Sequence, residues 1–175
     1  MSSISGSIYI LGDNIDTDQI LSGEYLKVNP STPEGYAQLA SLAMCGLPEG
    51  SLPFIDEKAG RAKYPIIIAG KNFGCGSSRE HAVRALGAAG VKAVVAQSYA
   101  RIFFRNCVAT GELLPISCDT HLNRELETGD QVIIHLDRQR IESNQKIFPL
   151  APVGELAAII NAGGLFQYAR KYKKI

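Results

Sequence analysis

Between Gly70 and His81 the chain reads Gly-Lys-Asn-Phe-Gly-Cys-Gly-Ser-Ser-Arg-Glu-His, so three glycines lead into two serines and an arginine. Glycine lets a backbone bend tightly and approach a ligand. The first turn of a helix then offers free amides and the positive end of its dipole to an anion. Arginine adds a planar fork for carboxylate or phosphate. A serine hydroxyl is a poor base near neutral pH and works as one only where amides, a dipole and a cation stabilise its alkoxide. This segment has the residues for all three. The same four residues, Ser77-Ser78-Arg79-Glu80, also fit a capping box, with Ser77 covering a first-turn amide and Glu80 reaching back, worth about 1 kcal/mol. Both readings stand on the local pattern. Gly-Cys-Gly and the arginine, which a cap does not need, favour a ligand site.

Other chemistry-bearing residues are sparser. Asp13, Asp16 and Asp18 lie in Gly-Asp-Asn-Ile-Asp-Thr-Asp, but a calcium loop needs a glycine that is absent after Asp18. Turn capping, or one carboxylate turned into a cleft, are the other readings. Arg101 and Arg105 share a helical face, either solvated or lining a site at a strand end. Cys45, Cys75, Cys107 and Cys118 form no Cys-x-x-Cys pair, which argues against a zinc or iron–sulfur ligand set here and for free, mostly buried thiols. His81 falls inside a helix, and His121 and His135 in the less site-like C-terminal half, so no Ser-His-Asp triad is readable.

The elements that position these residues alternate. Gly6 to Leu11 reads as a strand running into a polar loop through Gln19. Ser31 or Thr32 with Pro33 starts a helix to about Met44. Pro65 to Ala69 is an apolar run of buried-strand type, followed by the glycine loop and a helix from about Ser78 to Ala88. Val91 to Ala96 is a strand, Ser98 to Val108 a helix, and Leu113 to Ile116 extended. This order predicts right-handed crossovers and a parallel core. Beyond Asp130 the pattern changes to a hairpin, Gln131 to Leu136 and Ile141 to Phe148. A last helix, about Gly154 to Asn161, precedes a basic, solvated end, Arg170 to Lys174.

Composition narrows the function classes. The 175 residues fit one domain, 1–175. Eighteen Lys and Arg against 17 Asp and Glu leave a formal charge of +1, so no global field draws the chain to nucleic acid or an anionic membrane. The start, Met-Ser-Ser-Ile-Ser-Gly, lacks a basic and apolar leader, and unpaired cysteines suit a reducing compartment. A cytoplasmic protein is expected.

Three segments taken in order, Gly12 to Asp18, Asn72 to Ala82 and Ser98 to Asn106, resemble the small subunits of 3-isopropylmalate dehydratases, in the details closest to the plant and cyanobacterial-type branch. The likeness extends to Gly163-Gly164-Leu165-Phe166-Gln167-Tyr168-Ala169-Arg170. It implies an α/β fold, the swivelling β/β/α domain found at the C-terminus of aconitase. It also implies a large-subunit partner whose three cysteines hold a [4Fe-4S] cluster, with no metal on this chain. In such enzymes 2-isopropylmalate loses water to an alkene diacid, and water returns at the neighbouring carbon.

By the resemblance Ser77 is the base for the carbon-bound proton, Arg79 and Asp18 act beside it in the cleft, and Ser78, Thr17 and Lys27 touch substrate. Position 27, after Tyr25-Leu26, is the family's specificity position, arginine in homoaconitase-type subunits and uncharged in isopropylmalate-type ones. Lysine departs from both, since it pairs with a carboxylate as a point charge or extends its head to water over an apolar group. Homoaconitate or another 2-alkylmalate is the alternative substrate. A non-catalytic, anion-binding regulatory module is the alternative of another class.

Overall fold

Two short runs, Ile66-Ile67-Ile68-Ala69 and Ala93-Val94-Val95-Ala96, are buried at every residue. Strands covered on both faces have this uniform apolar character and pair in parallel at the middle of a sheet. In the computed structural model, which describes residues 2–173, they are β4 (Ile66–Ala69) and β5 (Ala93–Ala96). They lie in parallel register with β1 (Ser3–Ile10) on one side and β6 (Leu114–Ser117) on the other. The antiparallel strands β7 (Gln131–His135), β8 (Arg140–Ser143) and β9 (Lys146–Pro149) extend the sheet from β1, giving the order β6-β5-β4-β1-β7-β8-β9. A separate small hairpin joins β2 (Ile55–Asp56) to β3 (Arg61–Ala62).

Alternation along the strands divides the core in two. Tyr9, Ile67, Ala69, Val94 and Ala96 face one side, where they pack with residues of α2 (Pro33–Leu42), α3 (Glu80–Ala88) and α4 (Arg101–Thr110). Ile8, Ile66, Ile68, Ala93 and Val95 face the other, against Leu122 of α5 (Leu122–Glu125), Val132, Ile134 and Ile141. Leu156 and Ile160 of α6 (Leu156–Asn161) close that side.

The parallel core is as the alternation of elements predicts, with departures around it. The segment after β1 is not all loop, because Thr17–Ile20 forms one helical turn, α1, sealed by an Asp16/Gln19 capping box. The return strand expected over 141–148 is two strands, because Asn144 and Gln145 both take positive φ and turn the chain, a conformation asparagine tolerates. The helix expected from Ser98 starts at Arg101, because Phe73 and Tyr99 first pair as a parallel bridge. Past Gly163-Gly164 the chain forms α7 (Leu165–Lys171) with Tyr168 buried. Part of the basic end is therefore helical, and its Lys174 lies outside the described residues.

Candidate functional site

The loops that follow β1, β4 and β5 leave the sheet on the same edge, at the carboxyl ends of its parallel strands, where open α/β sheets hold ligands. The ladder continues into them. Leu11 N–H donates to the Ile68 carbonyl at 2.8 Å, Gly70 N–H to Gly12 at 3.0 Å and Gln97 N–H to Gly70 at 3.0 Å. The Asp-rich loop, the glycine loop and the segment from Ser98 thus meet side by side.

The glycine loop is pinned along most of its length. Asp13 accepts from Lys71 N–H at 2.7 Å and the Ser98 hydroxyl accepts from Asn72 N–H at 2.9 Å. Phe73 N–H donates to the Ser98 carbonyl at 3.0 Å, and Gly74 N–H to Ile15 at 2.7 Å. The Phe73 ring is fully buried and meets Phe103 edge to face at 5.1 Å. Gly74 sits at φ +78°, and a Cβ there would fall on the Phe103 ring. Only glycine fits this turn, for backbone and for space.

After Cys75 the loop changes character. Thr17 N–H donates to the Cys75 carbonyl at 2.8 Å, and the Thr17 hydroxyl to the Ser77 carbonyl at 3.1 Å. Ser77 and Ser78 are exposed, and their hydroxyls make no hydrogen bond among the described residues. Nor do the backbone N–H groups from Ser77 to Arg79 find an acceptor there. The expected Ser77/Glu80 capping box is absent. The helix starts at Glu80, Arg79 is its N-cap in an extended conformation, and no side chain caps it. Thr17 holds Ser77 from behind instead, so the hydroxyl of Ser77 stays free.

Arg79 is the better buried partner of a pair, its side chain 13% exposed against 64% for Asp18. Its Nη1 donates to Asp18 Oδ1 and to the Leu21 carbonyl, the latter at 3.3 Å. Its Nη2 and Nε make no hydrogen bond among the described residues, which leaves one edge of the fork for an anion. The Arg79 hydrogen bond holds the Asp18 carboxyl below the usual carboxylate range, against a smaller opposing effect of desolvation. Asp18 Oδ1 also accepts from Gly23 N–H at 3.2 Å.

The three aspartates therefore divide their work. Asp13 ties the loop, Asp16 caps α1 and Asp18 holds Arg79. No group of three or more His, Cys, Asp or Glu side chains is arranged to hold a metal among the described residues.

The structure brings Ser77, Ser78, Arg79, Asp18 and Thr17 together, but gives Thr17 a job other than the expected contact with substrate. It is only 2% exposed and its hydroxyl proton goes to the Ser77 carbonyl. Lys27 is exposed, after the short 3-10 helix Gly23–Tyr25. Arg101 and Arg105 are exposed on α4 and border a groove with Ser98 and Tyr99, beside the loop rather than in it. Among the thiols, Cys107 and Cys118 are buried, Cys75 is half-buried, and Cys45 is exposed against expectation. Burial pushes the Cys107 thiol well up.

Sequence reasoning missed the role of Gln19 beside Asp16 and the contact of His81. Asp16-x-x-Gln19 carries a readable capping signal. His81, whose Nε2 lies 3.0 Å from the Val28 carbonyl, carries none, because its partner is 53 residues away.

Known proteins resemble this chain over most of its length. Residues 48–121 match the model of the aconitase C-terminal domain. The chain is 52% identical over 171 residues to 3-isopropylmalate dehydratase small subunit 1 of Arabidopsis thaliana, covering 95% of this chain and 68% of that one. It is 42% identical over 175 residues to the methanogen homoaconitase small subunit of Methanocaldococcus jannaschii, covering 98% and 94%. The crystal structure of a 3-isopropylmalate dehydratase chain from the same archaeon superimposes with a TM-score of 0.77 at 39% identity, over 98% of this chain and 96% of that one. No helix among the described residues is long and apolar enough to cross a membrane. With such identity over nearly its whole length, and the three motif loops joined at one sheet edge, the chain belongs to the 3-isopropylmalate dehydratase small-subunit family.

Proposed function

We propose that this chain is the small subunit of a hydro-lyase that isomerises 2-isopropylmalate to 3-isopropylmalate by loss and return of water, in leucine biosynthesis, and that it works only when joined to a large subunit. The observation that carries this is the free Ser77 hydroxyl at the start of α3, beside amides without acceptors and the half-engaged Arg79. We read residues 1–175 as one swivel-type unit. Four free cysteines suit a reducing compartment, and we place the enzyme in the cytoplasm.

Among the described residues no group of three or more His, Cys, Asp or Glu side chains is arranged to hold a metal. In this reading a [4Fe-4S] cluster belongs to the large subunit. Lewis-acid activation of the leaving hydroxyl is the chemistry it would supply.

The chain's own contribution is proton transfer and binding. Ser77 Oγ takes the proton from the substrate carbon and returns it to the neighbouring carbon as water adds back. The Ser77–Arg79 amides, the dipole of α3 and the Arg79 cation favour its alkoxide. The free edge of the Arg79 fork and the Ser78 hydroxyl bind a substrate carboxylate. Asp18 holds the guanidinium in place and Thr17 holds the Ser77 backbone, both as positioning residues.

Ser77→Ala in the complex reconstituted with its large subunit is expected to cut turnover about 10²- to 10⁴-fold, the range for loss of a positioned base, with assembly unchanged. Near-normal turnover would remove Ser77 from the role. A second reading, homoaconitase-type specificity, draws on one observation, the exposed cation of Lys27 at the specificity position. Comparing kcat/KM for isopropylmalate and homoaconitate, in the parent and in Lys27→Thr, decides between them.

A further inference from the structure

The segment that carries Lys27 is tied to the site from both ends. At its entry Arg79 Nη1 donates to the Leu21 carbonyl at 3.3 Å, and Asp18 accepts from Gly23 N–H at 3.2 Å. Its middle is a single 3-10 turn, with Leu26 N–H donating to Gly23 at 3.3 Å and Val28 N–H to Tyr25 at 3.0 Å. One turn of this kind has poor hydrogen-bond geometry and little stiffness of its own. At its exit the Val28 carbonyl lies 3.0 Å from Nε2 of His81. A carbonyl oxygen only accepts, so Nε2 carries a proton and donates. His81 belongs to the first turn of α3, two residues beyond Arg79.

Both ends of the turn are thus held by side chains on or beside the start of α3. Val28 packs its side chain into the apolar core while Lys27, one residue earlier, stays exposed. The carbonyl that His81 holds ends the backbone unit directly after Lys27.

We propose that His81 is a positioning residue that fixes the Leu26–Val28 backbone, and with it Lys27, relative to the Ser77–Arg79 loop, so that choice among 2-substituted malates depends on this hydrogen bond. The part that concerns substrates rests on the dehydratase reading. The backbone latch itself does not.

The test uses His81→Leu, which removes the donor, and His81→Gln, whose amide nitrogen reaches about as far as Nε2 and restores one. In the complex with the large subunit, His81→Leu should change the ratio of kcat/KM for isopropylmalate over homoaconitate about five-fold, an effect of one hydrogen bond, mainly through KM. His81→Gln should restore the parent ratio. In a Lys27→Ala background the effect of His81→Leu on that ratio should vanish. An equal loss on both substrates, or an effect that simply adds to that of Lys27→Ala, would overturn the selectivity role.

Hydrogen exchange on the chain alone separates this from the dehydratase reading. Amides of Leu26 and Val28 should exchange about five-fold faster in His81→Leu and at the parent rate in His81→Gln, where opening of the turn governs exchange. Unchanged exchange in the leucine variant overturns the latch whatever the enzyme does. A parent complex that turns over neither substrate overturns the dehydratase reading while leaving the exchange result to stand.

Discussion

Arg79 is the N-cap of α3 and Arg84 lies in its middle, where besides Glu80 at 2.7 Å it meets a carboxylate in surroundings opposite to those of Asp18. Asp18, the partner of Arg79, is 64% exposed and its carboxyl is held low by the arginine's hydrogen bond. Glu112, the partner of Arg84 at 3.3 Å, is 13% exposed, and its pKa is raised by burial despite a 2.6 Å hydrogen bond from the Tyr36 hydroxyl. A pair whose carboxylate is this exposed adds little to stability. What it does here is orient a guanidinium. The half-buried pair joins Tyr36 on α2, Arg84 on α3 and Glu112 before β6, so losing a member leaves a desolvated polar group. The contrast teaches that the groups we assign to chemistry hold little of the fold together, while the network one helical turn further on holds much more.

The largest effect that sharpens this contrast is expected at Arg79. Lysine keeps the charge but not the planar fork, so Arg79→Lys in the complex should lower kcat/KM about 10²- to 10³-fold, as for loss of one preorganised donor. Thermal unfolding of the chain alone should barely move. A drop of many degrees in Tm would show that the exposed pair is structural after all and break the comparison.

Gly87 probes the other side. A Cβ built there would stand 2.7 Å from Glu112 Cβ, with the Glu112 carboxyl carbon at 3.1 Å. Alanine is the better helix former by up to about 1 kcal/mol, but overpacking of a fitted contact costs about 1 to 3 kcal/mol. Gly87→Ala should therefore destabilise the chain in denaturant titrations by about 1 kcal/mol or more and leave the turnover of the assembled enzyme within about two-fold. Stabilisation would mean that Glu112 moves aside freely.

Much of this was legible in the sequence, for definable reasons. Fully apolar four-residue runs separated by helical spacing announce buried parallel strands, and Ile66–Ala69 and Ala93–Ala96 are such strands. The glycine–serine–arginine segment announced the site because its glycines and arginine exceed what a helix cap needs. The capping reading, which the local pattern leaves open, is the one that fails. Ser77-x-x-Glu80 satisfies the capping pattern, yet tertiary bonds from Ile15 and Thr17 hold the loop so that α3 begins at Glu80 with no side-chain cap. A local pattern cannot report competition from a segment 60 residues away. The same limit hid the contact of His81 with Val28 and that of Tyr36 with Glu112. The α7 helix went unread because Gly163-Gly164 and the following lysines look like an ending, whereas Gly164 packs against the Ala109 backbone and starts another helix.

The smallest effect expected is also the most specific, because the two carboxylates carry opposite pH signs. A carboxyl held low in the fold contributes stability that is present above its unfolded pKa and lost as pH falls through the folded value. That is Asp18. A carboxyl raised in the fold contributes most below the unfolded value and loses that contribution as pH rises through the folded one. That is Glu112. The Tyr36 hydrogen bond opposes this rise, so Tyr36→Phe should push the Glu112 pKa further up and steepen the loss of stability as pH rises above the ordinary carboxylate value. The variant should be nearly neutral at acid pH, where the carboxyl is protonated folded and unfolded, and cost about 1 kcal/mol at alkaline pH, where it is ionised, the worth of one hydrogen bond. Chemical denaturation at the two pH values reads the difference directly. An equal cost at both would show that the Tyr36 hydroxyl acts by packing alone, and that burial and the Arg84 cation set the state of Glu112.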